Sequence, residues 1–168
     1  MIHRPELLDA LQRAPAGPLE TAAWRHMFGM RPPDLENTGG ARWNPPGVAA
    51  IYLSLARHGA IAEGDHTIAV QPFRPRARRF VYSIELTLAN VLDLSDAAVL
   101  QRVGLDDQDL ADDDHTACRE VGAATAWLEH DGLLVPSARS KAHTLVIYPA
   151  HQAPDATFTH GDGEELEA

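Results

Sequence analysis

Three side chains that a phosphorylated, flat-ringed substrate would need follow one another in the first third of this sequence. Arg42 lies in Gly39-Gly40-Ala41-Arg42-Trp43-Asn44-Pro45-Pro46-Gly47, where two glycines free the backbone and Asn-Pro-Pro-Gly makes a stiff turn. Tyr52 sits inside the apolar run Val48–Leu53, which has the length of a strand, and Glu63 falls on a short helical stretch from Leu55 to about Asp65 that Ser54 is placed to cap. A planar guanidinium clamps a diphosphate in two places, a phenol ring stacks on a base, and a carboxylate opposes a developing cation. Gly59 and Ala60, four and three residues before Glu63, leave the adjacent helix face bare enough for a ligand. Ser137 comes after Leu133-Leu134-Val135-Pro136; a hydroxyl so close to buried residues needs a partner.

Each of these residues also has an ordinary reading. Arginine in a turn is commonly just exposed, tyrosine in an apolar run is commonly core, and glutamate on a helix commonly faces solvent. What favours a site is the whole set in one order. Gly40-Ala41-Arg42-Trp43-Asn44-Pro45-Pro46-Gly47, Ala50-Ile51-Tyr52-Leu53, Ala62-Glu63 and Gly132-Leu133-Leu134-Val135-Pro136-Ser137-Ala138-Arg139 together resemble the signature of the RES domain family. The likeness runs from about Trp24-Arg25 to Tyr148-Pro149. The arginine, glutamate and serine that name the family map onto Arg42, Glu63 and Ser137. The resemblance implies a bacterial toxin that consumes NAD as substrate without a recycled cofactor, kept silent by a cognate Xre-type helix-turn-helix antitoxin. It implies an α+β, ADP-ribosyltransferase-like fold of two small packed, mostly antiparallel sheets with helices around a cleft. It also implies a catalytic set of Arg42, Tyr52, Glu63 and Ser137, with Arg25, Gly40, Trp43 and Asn44 as substrate-binding residues. For Arg25 a structural salt bridge is the equal alternative. One departure stands out: before Leu145-Val146, where the family often carries an asparagine, this chain has His143-Thr144.

Under that resemblance the reaction is cleavage of the nicotinamide–ribose bond, with water, inorganic phosphate or a protein side chain as acceptor. Water or phosphate makes a glycohydrolase or phosphorylase; a side chain makes a mono-ADP-ribosyltransferase. A silent ligand-binding module is the third reading. Other chemistries fit less well. Val135-Pro136-Ser137-Ala138-Arg139 lacks the G-x-S-x-G elbow of a serine hydrolase. Glu63-x-x-His66 has a metal-ligand spacing, but in a single copy and without HExxH, so no metal is expected. Gly39-Gly40 has no third glycine in dinucleotide-fold register.

The 168 residues, 45% hydrophobic and 23% charged, suit one domain with a real core. A formal net charge of −10, from 24 acidic against 14 basic residues, argues against direct nucleic-acid binding. Arg74-Pro75-Arg76-Ala77-Arg78-Arg79 is a local exception, read as a solvated loop or as a docking surface for an acidic partner or a pyrophosphate. No run approaches the roughly 20 apolar residues of a membrane span, and no apolar signal core follows the N-terminus, so a cytoplasmic location is expected. A homo-oligomer is left open. Cys118, alone, excludes an internal disulfide and reads as a small buried hydrophobe.

The elements follow from periodicity. Helix is expected over residues 5–13, ended by Ala14-Pro15-Ala16-Gly17-Pro18; strand over 80–88, with a separate short strand at 91–95; and helix from Asp96 to Arg102, closed by Gly104. Residues 106–114 read as an acidic loop or weak helical turn. Helix follows over 116–130, with Val121, Ala124, Trp127 and Leu128 as its buried stripe. Short strands lie at 133–135 and 145–148. The expected domain is 1–150, with 151–168 a polar, partly disordered tail.

Overall fold

A computed structural model describes residues 2–167. Helix α1, Pro5–Arg13, opens with proline at its first position and buries Leu7 and Leu11. Strand β1, Ala16–Phe28, then takes up Ala16, Gly17 and Pro18 from the stretch expected to end the first helix, and its register shifts between Gly17 and Leu19, on either side of Pro18. Pro18 has no N–H for the ladder, which is why the irregularity falls there. Next come β2 (Ile51–Ser54) and helix α2 (Arg57–Ala69). Strand β3, Arg79–Asp93, is one element of 15 residues where two strands were expected. Asn90 and Ala89 do not break it, because the buried carboxylate of Asp131 accepts both their N–H groups, at 2.9 and 2.7 Å.

Beyond β3 lie α3 (Ala97–Arg102), N-capped by the Asp96 side chain, then α4 (Asp107–Ala111) and α5 (Thr116–Trp127). Strands β4 (Gly132–Pro136), β5 (His143–Ile147), β6 (Thr157–His160) and β7 (Glu164–Leu166) complete the order.

All seven strands join one sheet, in the order β1-β2-β5-β4-β3-β6, and β1 also pairs with β3 along most of its length. The sheet therefore curls into a small barrel, where the family resemblance implied two small packed sheets. Its pairings are antiparallel except for β3 with β4. The second edge of β3 is divided among β4, β6 and β7. The stretch from His151, expected to be partly disordered, thus supplies two strands; Arg57–Glu164 and Arg78–Glu165 ion pairs, at 2.7 and 2.6 Å, help hold β7 in place.

Apolar residues fill two cores. Ala23, Ile51, Leu53, Ile84, Leu86, Leu88, Leu145 and Ile147 cluster inside the barrel. Leu133, Val135, Val146 and Tyr148 face the other way, against α1 and α5. Residues on both faces of β5 are buried, which explains the unbroken run Leu145–Tyr148. On α5 the expected stripe holds at Val121 and Ala124 and fails at Trp127, which is 60% exposed. Small residues do the packing there, and Trp127 at the helix end packs its ring at a tilt against that of His3. Cys118 is buried.

Candidate active site

The glycine-led loop after β1 is held from within. Asn44, fully buried, donates through Nδ2 to the carbonyls of Val48 (2.7 Å) and Asn37 (3.3 Å), and its Oδ1 accepts the Tyr52 hydroxyl at 2.5 Å. That hydroxyl in turn accepts the Trp43 N–H at 2.9 Å, and Tyr148 donates to the Trp43 carbonyl at 2.9 Å. Gly40 has φ +97, and a Cβ on it would press within 3.0 Å of Pro46 Cδ, so glycine is required at this turn. Burial pushes the Tyr52 phenol well above the ordinary tyrosine value, with the Trp43 hydrogen bond opposing it weakly. Tyr52 is therefore a neutral brace whose ring edges the cleft. Tyr52→Phe keeps the ring but strands the Trp43 N–H. A loss of about 1–3 kcal/mol in chemical denaturation is expected; unchanged stability would mean the hydroxyl braces nothing.

The loop closes one side of a cleft of about 430 Å³, lined among others by Trp24, Arg25, His26, Arg42, Trp43, Tyr52, Glu63, His115, Arg139 and Thr144. Two of its arginines are fixed in the same way. Arg42 donates Nη1 to the carbonyls of Asp109 (3.2 Å) and Asp112 (2.9 Å). Arg25 donates Nη1 to those of Pro33 and Leu35, both at 2.7 Å. Each fork is thus oriented by main-chain oxygens through one nitrogen, while its other N–H groups remain for a ligand. Among the described residues no carboxylate lies within salt-bridge distance of Arg25, Arg42 or Arg139. Burial holds Arg25 down at about 10. Arg119, behind the loop, donates Nε to the Ala41 carbonyl at 2.8 Å.

Opposite stands Glu63 on α2. This helix sits close to the barrel because its glycines leave no room for more: a Cβ at Gly59 would meet Ser54 Oγ at 2.1 Å, and one at Gly64 would meet the His26 ring at 2.5 Å. Gly59 therefore serves packing, and Ala60 is the small residue that borders the cleft. Ser54 does not cap this helix; Ala56 is its N-cap residue, and the Ser54 hydroxyl accepts the Ala56 N–H. Partial desolvation raises the Glu63 carboxyl above the ordinary glutamate value, opposed by Arg139, His66 and Arg42 and last by a hydrogen bond from Ser137. Glu63 nevertheless keeps substantial solvent exposure, so the shift is a direction and not a large penalty. The Ser137 hydroxyl also accepts the N–H groups of Arg139 (3.0 Å) and Ser140 (3.2 Å), forming the turn that presents Arg139.

Two histidines join the lining. His26 accepts the Arg79 Nε–H through Nε2 at 2.9 Å, and Arg79 pairs with Asp65 at 2.8 Å. Burial first, then Arg79, hold His26 down at about 4. Because the folded value lies below the ordinary 6.5, the unfolded chain takes up the proton first as pH falls. Stability from this group is complete above about 6.5 and is lost as pH drops toward about 4. Wild type is therefore expected to lose more Tm between pH 7 and pH 5 than His26→Gln, which keeps an acceptor for Arg79 but does not titrate. Parallel Tm curves would overturn the assignment. His115 is lowered too, by burial and then by Arg42, Arg119 and Arg139.

Of the residues singled out from the sequence, Arg25, Arg42, Trp43, Tyr52 and Glu63 line the cleft, and Ser137 stands at its rim between lining residues Pro136 and Ala138. Gly40 and Asn44 do not line it; they shape the loop. Thr144 lines the cleft while His143 is exposed. Residues 74–78 contribute nothing to it, and Arg78 and Arg79 are already engaged by Glu165 and Asp65. Sequence reasoning missed His26, His115 and Arg139; only Arg139, inside the serine motif, carried a signal. Among the described residues no three His, Cys, Asp or Glu side chains come together as a metal cluster, and no helix is long and apolar enough to cross a membrane.

Comparison with known proteins bears on this arrangement directly. The family model of the RES domain matches residues 10–167. The chain belongs to the RES domain family. The match takes in β6 and β7, beyond the span legible from the motifs. NAD(+) phosphorylase MbcT of Mycobacterium tuberculosis is 31% identical over 122 residues, covering 68% of this chain and 64% of MbcT. This RES chain thus spans just under two thirds of the length of that relative. The probable NAD(+) phosphorylase Rv3189 of the same organism is 31% identical over 159 residues, 89% of this chain and 74% of that protein. A chain of the crystal structure of the M. tuberculosis MbcT–MbcA toxin–antitoxin complex superposes with a TM-score of 0.85 at 25% identity, over 97% of this chain and 93% of that one.

Proposed function

We propose that this RES chain is the toxin of a bacterial toxin–antitoxin pair and degrades NAD by breaking its nicotinamide–ribose bond. The observation that carries the reading is the charge of the cleft. A chain of net charge −10 gathers Arg25, Arg42 and Arg139 on one concavity, leaves them without carboxylate partners among the described residues, and sets one carboxylate, Glu63, among them. Arginines free of counter-ions suit a pyrophosphate, and a carboxylate suits the cation that forms at the ribose.

As the C1–N bond breaks, its electron pair stays with nicotinamide and neutralises the ring's positive charge, leaving an oxocarbenium-like ribosyl centre. Glu63 stabilises that centre. Arg42 and Arg25 hold phosphate or ribose oxygens with the N–H groups their main-chain contacts leave over. Trp43 and Tyr52 bound the space for a ring, and Ser137 steadies Glu63 and the Arg139 turn. A phosphate oxygen then bonds to C1, giving nicotinamide and ADP-ribose 1-phosphate. Phosphate is the acceptor we favour, because both curated relatives bear the name phosphorylase. NAD is substrate here, so the scheme needs no cofactor or metal. The barrel's opposed walls support assigning the fold to the ADP-ribosyltransferase-like class. A separate Xre-type antitoxin covering the cleft is the expected restraint on a cytoplasmic toxin, with growth arrest on expression alone and rescue on co-expression.

One experiment separates the readings: purified protein with NAD, with and without inorganic phosphate. Phosphate-dependent nicotinamide release with ADP-ribose 1-phosphate supports the proposal. Free ADP-ribose regardless of phosphate means a glycohydrolase, labelled protein means a mono-ADP-ribosyltransferase, and intact NAD removes the enzymatic reading.

A further inference from the structure

Six of the nine residues from Asp106 to Asp114 are aspartates, beside a cleft rich in arginine. Their carboxylates nevertheless make no salt bridge to Arg42; four of them, Asp106, Asp109, Asp112 and Asp114, accept main-chain N–H groups of the same stretch. Asp106 accepts the Asp109 N–H at 2.9 Å while Asp109 accepts the Asp106 N–H at 3.0 Å, a reciprocal box at the start of α4. Asp112 accepts the Asp114 N–H at 3.0 Å, and Asp114 accepts the Thr116 N–H and hydroxyl at 2.9 and 2.6 Å. Leu105 and Leu110 anchor this arm in the core, and the Cys118 thiol donates to the Asp109 carbonyl at 3.6 Å. So fixed, the arm turns the carbonyls of Asp109 and Asp112, at the negative end of α4, onto Arg42 Nη1.

We propose that this acidic arm sets the position of Arg42, with Asp106 and Asp109 as positioning residues that act through the fold of α4 and not through their charge. The inference rests on the reading of Arg42 as a substrate clamp. Holding a cation with carbonyls instead of a carboxylate orients it without neutralising it, so its full charge is kept for the ligand. A helix of five residues does not stand by itself, and the reciprocal box decides whether this one is formed. When it frays, Arg42 is aimed correctly in only a fraction of molecules, and ligand affinity falls by that fraction.

The test is the double variant Asp106→Ala with Asp109→Ala, which leaves both carbonyls that touch Arg42 in place. Its probe is carba-NAD, an analogue whose ribosyl linkage is not cleaved, with binding measured by calorimetry beside initial rates of NAD loss. Positioning and charge predict opposite signs. Removing two negative charges near a cationic cleft alone would tighten an anionic ligand, whereas loosening the arm raises Kd, here by about five- to tenfold for two lost cap contacts. Asp106→Ser, another capping residue, is expected to stay near wild type, and Asp113→Asn, which removes charge without a cap, to bind equally or slightly tighter. A double variant that binds as tightly as wild type overturns the proposal, as does Asp113→Asn weakened to the same degree. Phenylglyoxal modification of Arg42, read by peptide mass, decides the grip without reference to NAD: faster reaction in the double variant supports it, and an equal rate refutes it. If wild type neither binds carba-NAD nor consumes NAD, the NAD reading falls, while the modification rates still judge the arm.

Discussion

Glu63→Gln is expected to fold like the parent chain and to consume NAD roughly 10²–10³-fold more slowly. The substitution keeps shape but removes the one charge placed among Arg42, Arg139 and His66 that opposes a ribosyl cation. Stability should not fall with activity. The folded-state value of Glu63 is raised, so what this group adds to stability is present below the unfolded value and lost as pH rises through the folded one. At pH 7 the ionised carboxylate is therefore slightly unfavourable to the fold, and Gln is expected to leave Tm unchanged or a little higher. The activity of the wild type should also fall away in acid at a higher pH than an ordinary glutamate would dictate. A folded Glu63→Gln protein turning over near the wild-type rate would sink the role.

Gly122→Ala should damage fold and site together. Gly122 on α5 packs straight onto the signature loop: a Cβ there would lie 1.9 Å from the Trp43 carbonyl oxygen and 2.5 Å from its carbon. Alanine gains about 1 kcal/mol in helix propensity over glycine, but the clash is with backbone, and that same oxygen also accepts the Tyr148 hydroxyl. Helix and loop must separate. Overpacking of this kind costs about 1–3 kcal/mol or more, so the net effect is destabilising, with Tm lowered by roughly 2–4 °C for each kcal/mol lost. Trp43 is the neighbour of Arg42, and displacement of a clamp by about 1 Å can cost about 10²-fold in rate. Thermal melts and NAD turnover are the measurements, with Gly161→Ala as comparison, since no atom lies within 4 Å of a Cβ there. If Gly122→Ala melts and works like wild type, α5 does not hold the loop.

How much of this was legible in the sequence depended on how locally each feature is determined. Arg42, Tyr52 and Glu63 stood out because the glycine–proline turn, the apolar run and the short helix are each readable over a few residues, and the cleft does bring them together. Asn44 was misread because its buried amide serves Asn37, Val48 and Tyr52, contacts that only the folded loop creates. His26 and His115 meet the cleft only through the folded chain: His26 is held by Arg79, 53 residues away, and His115 lines the same cleft as Arg42, so no spacing rule reaches that far. The same holds for barrel closure. Ala14-Pro15-Ala16-Gly17-Pro18 reads as a helix stop, yet Ala16 already pairs with Leu92 across the barrel. Trp127 fitted the periodicity of α5 and still points outward, since a period gives a face but not where the neighbouring layer ends.

Closure of the barrel has one more consequence, for what the surface offers to other chains. β2, β4 and β5 each have a neighbour on both sides, so they present no long run of free backbone donors and acceptors. The edges left over fall on β1, whose second edge is paired only at Trp24 with Ser54 of β2, and on β6 and β7. These are poor templates for fibril-like stacking: β1 carries Gly17, Pro18 and Glu20 there, β6 is four residues with two threonines and a histidine, and β7 is three residues led by two glutamates. A chain built this way is shielded against edge-to-edge pairing by its own strands.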